Sequence, residues 1–163
     1  MHILLLLAGL LLSAPAFAVK KTSVIDSYDV TLKETISGIN GKMTTENVAK
    51  KAKKLVELSK EILSLFAKKD KACETYINTA LKAGQNMLAM PLDEIELNYH
   101  QDKALPKAPE SCHHAKDLLV HPATVYILAT KHSTEKDARN KMFMELAELS
   151  AHLIYTKEQI EKK

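Results

Sequence analysis

The chain has no tryptophan, three phenylalanines and only four glycines in 163 residues. So little glycine leaves few strained turns on which to mount a nucleophile or cradle a phosphate. No glycine-rich phosphate loop, no G-x-S-x-G and no H-E-x-x-H occurs. Hydrolase and transferase chemistry therefore lack their usual motifs, and the chain is read as a non-enzyme. Charge of one sign is also missing: 23 Lys and Arg face 20 Asp and Glu, a formal +3. That balance favours solubility and argues against nucleic acid as a partner. Lys50, Lys51, Lys53, Lys54, Lys60, Lys68 and Lys69 crowd one segment. No aromatics interleave with them for base stacking, so they read as a solvated helix face.

Long apolar runs are missing too, except at the start. Residues 3–12 are apolar with a single glycine, and Ala16-Phe17-Ala18 follows as an A-x-A cleavage signature. A run of about ten residues is too short to span a bilayer, which needs roughly 20. Residues 1–18 are therefore expected to be a cleaved secretory signal peptide. Residues 19–163 are expected to form one domain, periplasmic or secreted, with no stable membrane insertion after cleavage.

Cysteine is scarce as well. Only Cys73 and Cys112 occur, and their spacing fits neither a zinc motif nor a c-type haem site. In an oxidising compartment an even pair is most simply one disulfide.

What is abundant is Lys, Glu, Ala and Leu in helical periodicity. Ser23 with Asp26 reads as an N-terminal cap for a helix over 24–37, closed by Gly38 and Gly41. A second helix over 45–69 carries Val48, Ala52, Leu55, Leu58, Ile62, Leu65 and Phe66 at spacings of three and four. A third runs from Asp70, an N-cap, to Met90, with Pro91 closing it. A fourth covers 110–131, with Pro122 making His121 a natural boundary. A fifth begins after Thr134, where Thr134 and Asp137 form a second capping box. The fold class is all-α: an antiparallel four-helix-bundle-like domain with an additional short or peripheral helix. The proline-bounded stretch 91–111 is long for a bare loop, so it carries a short element or covers a pocket. A Cys73–Cys112 bond would hold it beside the bundle.

The fourth helix holds the polar group with most chemistry. His114, Asp117 and His121 follow at three- and four-residue steps, so they share a face beside the apolar stripe. His114 with Asp117, or Asp117 with His121, can grip one ion. All three cannot, because His114 and His121 stand about 10 Å apart along the axis. A ligand borrowed from the 91–111 loop, His100 or Asp102, would complete the set. Glu145, Glu148 and His152 on the fifth helix group with Lys141 and Gln159, which reads as a solvated face. Met87, Met90, Met142 and Met144 suit copper or haem iron by chemistry, and core packing by spacing. In architecture alone the build is similar to small exported four-helix haem proteins, and no haem-attachment motif accompanies it.

Two functional readings follow. In the first, the bundle binds a transition metal such as copper or zinc, or less readily haem, through the histidines of the fourth helix. In the second, it is a structural or interaction protein of the cell envelope, with a protein partner or a second copy of itself, and its histidines are incidental.

Overall fold

The structure, a computed structural model, describes residues 23–84 and 86–162. The expected signal segment, residues 1–18, lies outside them. The chain is all-helical, and among the described residues there is no strand. In order the helices are α1 (Val24–Asn40), α2 (Thr45–Lys69), α3 (Glu74–Ala83), α4 (Leu92–Ile95), α5 (Ser111–Lys131) and α6 (Ala138–Glu161). The long helices close a ring: α1 packs on α2, α2 on α5, α5 on α6, and α6 back on α1. Neighbours in the ring run antiparallel. Cys73, just beyond α2, is bonded to Cys112 in the first turn of α5. Arg139, in the first turn of α6, donates to the carbonyls of Ile39, in the last turn of α1, and Met43, just beyond it. The shorter α3 lies against α2 and α5, outside the ring.

Local chemistry sets most of the ends. The Ser23 hydroxyl accepts the Asp26 N–H at 3.0 Å, and Thr44 caps α2 in the same way through Asn47. α1 does not stop at Gly38 but continues to Asn40. Gly38 serves packing instead, since a Cβ there would lie 2.1 Å from the Met43 methyl. The helix expected over 70–90 is shorter. Asp70 accepts the Ala72 N–H in a turn, and α3 begins only at Glu74. It ends before Gly84, where a Cβ would press on Leu119 of α5 at 2.8 Å. The capping box at Thr134 does not form: α6 starts at Ala138, and Asp137 gives no side-chain cap. Leu65, placed in the α2 stripe, is exposed, and Ser59 takes an inward position with its hydroxyl donating to Val56 O.

α5 is the central element. It is buried on nearly all sides, with Cys112, Ala115, Leu118, Leu119, Val120, Ala123, Val125, Ile127 and Leu128 in the core. A helix so enclosed has no fully solvated face for its polar residues. The boundary expected at His121 does not occur, because α5 runs on through Pro122. Proline has no N–H, which strands the carbonyl four residues back, that of Leu118. The Tyr28 hydroxyl of α1 donates to that carbonyl at 2.8 Å. Tyr28 is fully buried, and burial pushes its phenol pKa up, so it remains a donor.

The 91–111 stretch does carry its own element. α4 passes into a π-helical turn at Glu96–His100, which ends on a histidine facing the bundle. π turns are rare and cluster at functional positions.

Candidate metal centre

Three elements converge on His121 of α5. His121 is 3% exposed, and its Nδ1–H donates to Glu145 Oε2 of α6 at 2.7 Å. His100, on the π turn, sets its ring edge-on to His121 with centroids 4.7 Å apart. Its Nε2 lies 3.6 Å from the same Glu145 oxygen. One ligand atom from each of His100, His121 and Glu145 falls within 4.8 Å of the others. A second set with the same closeness shares the central residue: Asp117, His121 and His152. Glu148 is more exposed, its carboxylate 3.8 Å from His121 Nε2.

His100 and His152 are held neutral. Burial lowers the His100 pKa, and the neighbouring His121 lowers it further, against the pull of Glu145, Glu96 and Asp117. Burial likewise pushes His152 down to about 4, with Asp117 opposing and His121, His114 and Lys116 adding to the fall. A neutral imidazole keeps the lone pair a metal needs. His100 Nε2 is buried and has no hydrogen-bond partner among the described residues. Such an orphan is uncommon in a folded interior and marks a place where another group would fit.

Lys116 supports the site from behind. It is 2% exposed, and its ammonium donates to Tyr99 O at 2.7 Å and meets Asp117 at 2.6 Å and Asp102 at 3.2 Å. It therefore fixes the residue before His100 and one oxygen of Asp117 together. Asp102 also accepts the Tyr76 hydroxyl at 2.8 Å and lies 3.3 Å from His113 Nε2. Its backbone is left-handed, with φ 59°. The disulfide anchors Tyr76 and His113 within one turn of its two cysteines.

The expected residues divide as follows. His121 meets His100 in one set and Asp117 in the other. His114 belongs to neither set: its Nδ1 lies 2.8 Å from Nδ1 of His152, one ring donating to the other, and it packs on Tyr155. It orients a member of the second set. Asp102 contacts Lys116 and His113 rather than the ligand sets. The solvated face expected on α6 is corrected in part. Glu145 and His152 are half-buried and turned towards α5. The reason is register: Glu145, Glu148 and His152 each precede a buried leucine, Leu146, Leu149 and Leu153. They flank the stripe on the side towards α5, with Glu148 left the most exposed of the three. Met87 and Met142 are core, and Met144 is on the surface. No family model, no curated protein and no solved structure matches the chain, so this geometry carries the reading of the site.

Proposed function

We propose that the protein is a metal-binding bundle rather than an enzyme, taking a divalent transition-metal ion of the zinc or copper class on His100, His121 and Glu145. The supporting observation is the convergence of three donors from three separate elements on one spot, with the central histidine buried and a second histidine nitrogen unpartnered. Two imidazoles with one carboxylate is a donor set suited to those ions. Asp117 and His152 offer a neighbouring position that shares His121. The apolar leader and the cysteine pair favour an exported, oxidising location.

Calorimetric titration of Zn(II) and Cu(II) tests the proposal. The wild type is expected to bind at micromolar metal or tighter. His121→Ala should lose more than the roughly 10–100-fold that a supporting residue costs, and His114→Ala, whose ring orients His152 of the neighbouring set, should cost less than that range. His132→Ala, whose ring meets Glu135 away from both sets, should bind as the wild type does. No uptake by the wild type, or unchanged affinity in His121→Ala, would leave the structural reading standing.

A further inference from the structure

We infer that the His100–His121–Glu145 position is open on one side, and that a small carboxylate reaches a metal ion there through a cleft above Glu145. The inference rests on the metal reading above and adds a ligand class to it.

The donor count is the first argument. Three protein groups leave a four-coordinate ion with one position to fill. The second argument is where the cleft lies. A cavity of about 360 Å³ is lined by Glu145 itself and by Glu96, Thr124, Lys141, Leu92 and Leu128. Three of these stand one helical turn from a donor. Thr124 is three residues after His121 on α5, Lys141 four before Glu145 on α6, and Glu96 four before His100 on the π turn. Residues three and four apart share a helix face, with a rise of about 5 Å between turns. The same three elements that supply the ligands therefore build the walls, and the ion's open side faces the cleft floor.

The third argument is an unpartnered group. Thr124 is 4% exposed, and its hydroxyl has no hydrogen-bond partner among the described residues. A hydroxyl on the wall of the cleft, with no partner of its own among the described residues, can donate to an oxygen bound at the ion. Leu92 and Leu128 offer apolar surface to a short carbon chain, and Lys141 brings an ammonium. Asp93, Glu96 and Glu145 bring negative charge to the cleft, which the double charge of the ion together with Lys141 offsets. A carboxylate matches this order: oxygens on the ion and Thr124, carbon chain on the leucines.

The probe is propionate, titrated into the Co(II)-loaded protein, whose visible bands report the coordination of the ion. The bands should shift saturably at millimolar propionate. Thr124→Val should weaken propionate about tenfold while leaving Co(II) affinity unchanged, and Thr124→Ser should restore it. Lys141→Met, at an exposed position, should weaken propionate severalfold and also spare Co(II). A protein that holds Co(II) and shows no band shift up to about 100 mM propionate overturns the open side while keeping the metal reading. A protein that takes up no Co(II) overturns both.

Discussion

Burial keeps His152 neutral at pH values where an exposed imidazole is charged. In the unfolded chain its pKa returns to the ordinary value of about 6.5. Between 6.5 and about 4 the unfolded state binds a proton that the folded state does not. Stability therefore rises with pH across that window: the contribution is complete above about 6.5 and is lost as pH falls towards 4. His100 is shifted the same way and adds to the effect. The urea midpoint of the metal-free protein should drop between pH 7 and pH 5, and His152→Gln should flatten part of the drop. A midpoint indifferent to pH over that range would contradict the assignment. Single residues were unevenly legible. His100, Asp117 and His121 can be picked out by spacing and by the disulfide that holds the loop. Lys116 cannot, since lysine is almost never buried, and its place depends on Asp102 and Tyr99 arriving from a distant turn.

At the scale of elements, α5 carries a proline that the bundle repairs from another helix. Tyr28→Phe removes the donor to Leu118 O and leaves that carbonyl buried without a partner. The expected cost is about 1–3 kcal/mol in urea denaturation, with no change in helical content. A loss below about 0.5 kcal/mol would mean that the carbonyl finds another partner. Helix α2 was legible over 45–69 because its three-four stripe is sustained along the span, though Leu65 faces outward. Helix α3 was overextended because its break at Gly84 answers to the approach of Leu119 from α5, not to any local signal beyond the glycine itself. The role of α6 was hidden for a similar reason. His114 and His121 are seven apart on α5, and Glu145 and His152 are seven apart on α6. Antiparallel pairing sets His114 against His152 and His121 against Glu145, at 2.8 and 2.7 Å. The pattern is in the sequence, but it acquires meaning only once α5 and α6 are known to be neighbours. A helical wheel drawn for α6 alone treats that flank as solvent.

For the whole molecule, the all-helical bundle follows from periodicity that holds over several turns in each long helix, which few other folds accommodate. The crossover from α2 to α5 is the part least determined by periodicity, and there the Cys73–Cys112 bond closes the chain over a separation of 39 residues. Chain-entropy arguments value such a closure at roughly 4 kcal/mol. The Cys73→Ala, Cys112→Ala double variant should lose about that much by thermal or urea unfolding while keeping its far-UV helical signal. A loss under about 1 kcal/mol would show that packing alone holds the crossover. The buried Lys116 has a wider consequence. Its ammonium balances carboxylate charge in the core before any ion arrives, and it ties the π turn to α5 in the same act. Domains whose ligands repel one another until metal binds must fold and load together. Here the scaffold carries its own internal counter-ion. Under the proposed metal reading, loading and folding would be separate equilibria, with a guest ion exchanging on a frame that stays closed.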